Sequence, residues 1–484
     1  MSRASRDLTE GSVFGHLMRL VIPMSFGITA MMLVGVVDAY WVGKLGTAQQ
    51  AAVQFVFPVS MAVMSIAIGL GAGTVSVVAR AAGRGDFSRT RRLATDAVCL
   101  SFVIVLAASA LGVVSIDWLF PAMGATEEMM PYIREYMTIW FAGIVFVVGP
   151  MVASNLLRAI GDAILPSIIM VLAAVLNMAL DPLLIFGFGP IPRMEVAGAA
   201  TATLISNLAV FVIAMGLLIV REKLLDLSWP GFDELYWNWR EIARIGAPAA
   251  GSNMINPLAT SVVFSATARF GEAAVAGFGV AARVEALAII PLFALSGSIG
   301  PVTGQNGGAD RVGRVREAFG SAFAFCVGWS VFIALILFFL GDWLAALFLP
   351  SPEGRAVAEL YWDVVPITVA GYGVAMAASA GFNGLGRPLY GVAINVLRGV
   401  VLLAPLAWIG GALAGGAHGV VYAVALANLT AGLIAAVYVL RFAPMTAVEG
   451  KTRSAKPKPE PAGGPPEPQT STASAYRAGE GEPR

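Results

Sequence analysis

The run Leu165–Gly187 decides how this chain is read, and inside it stands Asn177-Met-Ala-Leu-Asp181-Pro182. Its flanks, Ile168-Ile-Met-Val-Leu172 and Leu183-Leu-Ile-Phe186, are continuously apolar. About 20 such residues cross a bilayer as one helix. Asn177 and Asp181 are four residues apart, so on a helix they share one face. Pro182 removes a backbone donor and predicts a bend that frees carbonyls beside Asp181. A carboxylate at membrane depth is costly, so it faces an interior cavity with a partner and marks function.

The rest of the chain has the same character. Of its 484 residues, 58% are hydrophobic and 13% charged, where a soluble domain has about a quarter charged. Mean hydropathy is +0.78. Apolar runs of spanning length recur twelve times, from 17–41 to 417–441, which predicts an all-α polytopic membrane protein. Alternating strands are absent, which argues against a barrel. A net charge of +1 with no basic field excludes nucleic acid as a partner. Cys99 and Cys326 lie in apolar runs, and His16 and His418 near span ends. These offer no disulfide framework, metal spacing or histidine centre, so no cofactor and no enzyme are expected. Met1–Ser12 has no cleaved-signal pattern.

Orientation follows from basic residues in short loops. Arg80, Arg84, Arg89, Arg91, Arg92, Arg158, Arg221, Lys223, Arg240, Arg244, Arg311, Arg314, Arg316 and Arg387 fall in even-numbered connections. Both termini are therefore expected inside, in a bacterial-type cytoplasmic membrane. The expected layout is a cytoplasmic segment (1–15), a first six-span lobe (16–220), a linker (221–242), a second lobe (243–445) and a disordered cytoplasmic tail (446–484) rich in Pro, Gly, Ser, Glu and Lys. The halves repeat. Leu45-Gly46 answers Phe270-Gly271, Gly85-Asp86 answers Ala309-Asp310, and Ile160-Gly161 answers Leu385-Gly386. Parallel repeats with a cavity between halves are a transporter pattern.

Polar residues break the repeat. Asp38 in span 1 is matched in the repeat by Val263 in span 7, and Asn177 and Asp181 have no carboxylate counterpart in span 11. Asp38 and Asp181 lie in the outer thirds of their spans, and Tyr136 and Thr203 at similar depth. Two carboxylates, an amide and two hydroxyls suit a proton, or a Na⁺ held at Asp38, Asn177 and Asp181. Pro23 and Pro182 are the candidate bending points. Met31, Met64, Met170, Met254 and Phe264 are candidate cavity residues, because methionine and aromatic surfaces adapt to varied apolar and cationic solutes. Glu285, two residues from Arg283, reads as structural.

Ile22-Pro23, Val37-Asp38 with Trp41-Val-Gly43, Gly69-Leu-Gly71-Ala-Gly73, Arg158-Ala-Ile-Gly161-Asp162, Asn177-Met-Ala-Leu-Asp181-Pro182 and Gly198-Ala-Ala-Thr201-Ala-Thr203 together resemble the multidrug and toxic compound extrusion (MATE) family, in its DinF-like branch. The resemblance covers residues 13–445. It implies a V-shaped, twelve-helix monomer in lipid that exports organic cations or amphipathic drugs against H⁺ or Na⁺. It also implies a cation site in the N-lobe at Asp38, Tyr136, Asn177, Asp181 and Thr203. The NorM-like branch places acids in spans 7 and 10; here those spans carry Asn253, Asn256, Ser261, Tyr372 and Ser379. The alternative is a flippase for a lipid-linked or lipid-like substrate on the same fold. It needs basic residues in the cavity, and within the spans only Arg269, Arg283 and Arg398 are at hand.

Overall fold

The structure, a computed structural model, describes residues 7–454. Counting each bent or π-interrupted run once, the described chain forms twelve helices. They are α1 (Val13–Gly43), α2 (Thr47–Gly83), α3 (Phe87–Ala122), α4 (Met130–Ala159), α5 (Ile164–Phe186) and α6 (Glu195–Arg221), then α7 (Phe232–Ala268), α8 (Glu272–Ala288 and Ile290–Gly308, bent by 45°), α9 (Val312–Phe348), α10 (Pro352–Gly384), α11 (Pro388–Ala414) and α12 (Ala417–Ser454). Ten are long and apolar enough to cross a membrane, and α8 makes an eleventh if its two arms are one span. Helix α7 opens instead on Asp233, Glu234, Arg240 and Arg244, polar residues that dilute its apolar part.

Two boundaries differ from the sequence reading. The linker is shorter than 221–242, because α7 starts at Phe232. Pro230 cannot continue a helix, Gly231 turns with φ 83°, and Asp233 and Glu234 then favour a helix N-terminus. At the other end, α12 runs to Ser454, into the stretch expected as tail. Residues 455–484 lie outside the described residues. The body of the protein is one compact unit, Met1–Ala447, and a second begins at Val448.

The internal repeat is visible in the backbone. Gly46 and its counterpart Gly271 both precede a helix with positive φ, 147° and 97°. Gly161 and Gly386 do the same after α4 and α10, at 86° and 75°. A side chain is strained there, so glycine fixes both turns.

In the first lobe, α4 packs among α2, α3 and α6, while α5 lies against α1 and α6. In the second, α10 packs against α8, α9 and α11. The lobes meet chiefly where α2 crosses α7 and the second arm of α8. These crossings sit at the end carrying the arginine-rich loops, called the basic end below. Gly83 and Gly308 there abut the Gln305 and Arg80 carbonyls with no room for a side chain. Ser76 Oγ donates to the Gly384 carbonyl at 3.1 Å, and Arg80 pairs with Glu241 at 3.2 Å. The segment before α1 joins this seal. Leu8 is fully buried, its N–H donates to Gln305 Oε1 at 3.1 Å, and Asn306 Nδ2 donates to its carbonyl at 3.0 Å. Gln305 Nε2 in turn donates to the Ala159 carbonyl of the first lobe at 2.8 Å.

Candidate functional site

The packing of α5 against α1, α4 and α6 brings the polar residues of four helices together. Asp181 is completely buried and Asn177 nearly so, while Asp38, Tyr136 and Thr203 are half-buried. The Asp38 and Asp181 carboxylates lie close enough to interact directly. No N–H or O–H reaches either oxygen of Asp181. Two acceptors therefore confront each other in an apolar wall, which is tolerable only when a proton or cation joins them. Tyr136 lies near enough to feel both carboxylate charges, and it packs with Trp41, Val42 and Ile185 around the pair.

Asn177 connects this pair to α6. Its amide lies 3.2 Å from both Asp38 Oδ1 and Thr203 Oγ1. Facing an ionised Asp38, the amide nitrogen donates to the carboxylate, and the amide oxygen accepts from Thr203 Oγ1 and from the Thr203 N–H at 3.3 Å. Asn207, one turn on in α6, donates to the Thr203 carbonyl at 2.8 Å. The chain of polar groups thus runs from Asp38 through Asn177 and Thr203 to Asn207.

Asn207 also lines a cavity of about 580 Å³ between the lobes, a size suited to a drug-like or nucleotide-like molecule. Met31, Met64 and Met170 line it as expected. Asn155, Asn253, Asn256, Asn383 and Asn395 supply amides, and no Asp or Glu is among the lining residues. The five residues of the carboxylate cage are not in the lining either, so the two sites are neighbours rather than one pocket.

Several expectations need correction. Met254 lies outside the lining, 44% exposed, because Asn253 and Asn256 take the cavity-facing positions of that turn. Phe264 packs edge-on against Phe278 at 5.2 Å instead of lining the cavity. Arg283 and Arg398 do not line it either. Arg283 is exposed. Arg398 sits behind the wall on the π-helical turn Leu397–Leu403, donating to Asn428 and Asn256 over the Tyr372 ring. Glu285 is partnered by the Tyr361 hydroxyl at 2.5 Å, not by Arg283.

Arg158 is the residue that sequence reasoning placed wrongly. It belongs to α4, which reaches Ala159, and it lines the cavity floor instead of a loop. Asn207 was also missed, although it follows Thr203 by one helical turn and carries the right chemistry.

Two lobes around a cavity, with a buried acidic pair beside it, define a membrane transporter. The chain belongs to the MatE family, whose pattern matches twice, at residues 23–183 and 248–409, once in each lobe. It is 36% identical over 417 residues to a protein of Shewanella oneidensis named FAD transporter, covering 86% of this chain and 92% of that one. It is 25% identical over 450 residues to the multidrug export protein MepA of Staphylococcus aureus, covering 89% and 95%. Among solved structures, the Vibrio cholerae MATE transporter VcmN in its bent form superposes with a TM-score of 0.84 at 26% identity, covering 93% of this chain and 99% of that one.

Proposed function

We propose that this transporter is an ion-coupled antiporter of the cytoplasmic membrane, exporting small amphipathic molecules by alternating access with H⁺ or Na⁺ as the driving ion. The observation that carries the reading is the Asp38–Asp181 pair, an acceptor facing an acceptor at buried depth. The placement of both acids in the first lobe, with amides and hydroxyls in the second, supports the DinF-like branch. The basic loops support a cytoplasmic basic end. On this reading the sealed basic end corresponds to an outward-facing state.

The coupling follows from the site. Entry of either cation at Asp38 and Asp181 removes the acceptor clash, and a proton placed on Asp38 lets the Asn177 amide turn its oxygen toward the new O–H. Thr203 changes its bonding, and Asn207 carries that change to the cavity wall. Pro182 leaves the Met178 carbonyl without its helical donor, so α5 is able to flex beside Asp181. The methionine and amide lining supports amphipathic solutes. The relatives named for FAD transport and multidrug export support aromatic solutes and a broad range.

The test is uptake of fluorescent amphiphiles into inverted vesicles, energised separately by a proton and a Na⁺ gradient. Uptake should follow one gradient. Asp38→Asn and Asp181→Asn should each reduce it at least about tenfold while inserting normally, since each removes a charge needed only for coupling. Full transport by both variants would refute this site.

A further inference from the structure

The floor of the cavity holds a cation with no countercharge. Arg158 donates through Nη2 to Asn155 Oδ1 and points Nη1 at the Met24 sulfur 3.4 Å away. Its Nε is buried and makes no hydrogen bond. Among the described residues no carboxylate pairs with it, and no Asp or Glu lines the cavity. Such an arrangement is costly for the inaccessible Nε of a part-buried guanidinium, which is best satisfied by an anion or a full set of acceptors. The same fold provides that set elsewhere. Arg398 gives Nε and Nη2 to Asn428 Oδ1 at 3.1 and 3.0 Å and Nη1 to Asn256 Oδ1 at 3.2 Å, and it lies 3.8 Å from the Tyr372 ring. Arg158 is left with spare donors at the cavity lining.

Its surroundings fit an incoming anion. Gly297 of α8 covers the guanidinium, and a Cβ there would come within 3.0 Å of both Arg158 Nη1 and Met24 Cε. Asn155 and Asn383 add amides at the same end, and Met31, Met64 and Met170 line the remainder. A planar guanidinium with free N–H groups matches the geometry of phosphate and carboxylate oxygens.

We propose that Arg158 is an anion seat, and that the solute carried is an amphipathic anion. Its phosphate or pyrophosphate rests on Arg158 and its aromatic or acyl body lies among the methionines. This deepens the transport reading above and rests on it for the cavity's role, but it reverses the expectation of an organic cation. The phosphate belongs either to a soluble aromatic ester or to a lipid headgroup, and Arg158 would recognise the shared chemistry in both.

Binding to the purified full-length protein, with no ion gradient, separates this proposal from the coupling mechanism. Flavin mononucleotide and riboflavin share a fluorescent ring and differ by one phosphate. Lysophosphatidate, as a competitor, represents the lipid source. Wild-type protein should bind flavin mononucleotide at least about tenfold more tightly than riboflavin, the scale of a charged hydrogen-bonded pair. Alternatively it should bind lysophosphatidate with the same preference over monoacylglycerol. Arg158→Gln should abolish the phosphate preference while leaving riboflavin or monoacylglycerol binding unchanged, and Arg158→Lys should keep part of it. Gly297→Ala, which narrows the seat and keeps the charge, should weaken the phosphate compound alone. Whichever phosphate compound shows this Arg158-dependent preference names the source. Absence of a phosphate preference in wild type for both pairs, or an unchanged preference in Arg158→Gln, overturns the proposal. Failure of Asp38→Asn to affect transport would overturn the coupling reading and leave this result standing.

Discussion

At the scale of single residues, the proposed coupling turns on an amide that touches a carboxylate. Asn177 is the side chain that touches both Asp38 and Thr203, and on the coupling reading proposed above its amide turns over when Asp38 takes up a proton. An amide can present either a donor or an acceptor to Asp38 while its other end keeps contact with Thr203. Asn177→Ala should therefore uncouple the sites. Gradient-driven uptake should fall at least about tenfold, while solute binding to purified protein without a gradient stays within about twofold. A parallel loss of binding would show that Asn177 belongs to the solute site instead. Thr203→Val keeps the shape and removes the hydroxyl, and its loss should be smaller because the Thr203 N–H still reaches the amide.

At the scale of helices, the seal at the basic end is made by backbone meeting backbone. Gly308 of α8 abuts the Arg80 carbonyl of α2, and Gly83 of α2 abuts the Gln305 carbonyl of α8. Small residues permit such approach where the lipid tails offer no hydrophobic drive for helix association. Gly308→Val has nowhere to place its side chain without parting the helices. It should lower the melting temperature in detergent and shift the population away from the sealed state. Native hydrogen–deuterium exchange around Leu8 and Ala159 should rise, since both are held by Gln305. Unchanged exchange there would mean that the seal gives elsewhere.

At the scale of the whole molecule, the sealed basic end and the interlobe cavity make sidedness measurable. Ser154 lines the cavity from α4. In a Cys99→Ser background, Ser154→Cys should react with a membrane-impermeant maleimide from the outer side of intact cells and be protected in inverted vesicles. Adding Gly308→Val should raise labelling in inverted vesicles several-fold, through the population shift that the mutation imposes. Equal labelling from both sides in the unmodified background would contradict an outward-facing resting state.

The sequence alone determined the membrane class, the two-fold repeat and the carboxylate cage. Apolar run length, a repeat of 225 residues between Gly46 and Gly271, and an embedded Asn177–Asp181 pair are local properties that add along the chain. The cage was legible because its residues share depth, and depth follows from counting along a helix. Which residues face the cavity was decided by tertiary structure. Met170 lines it and Met254 does not, though both sit in spans of similar character, because one residue is about 100° of rotation and only packing fixes that angle. Arg158 was read as a loop charge since helix ends are set by what lies beyond them. Here α4 continues to the turn at Gly161, and its last arginine is carried under the cavity. Arg398 was taken for a cavity residue, but the π-helical turn at Leu397–Leu403 and the neighbouring Asn428 place it behind the wall. Charge and apolarity are written in the chain; the partner each charge meets is settled only when the helices pack.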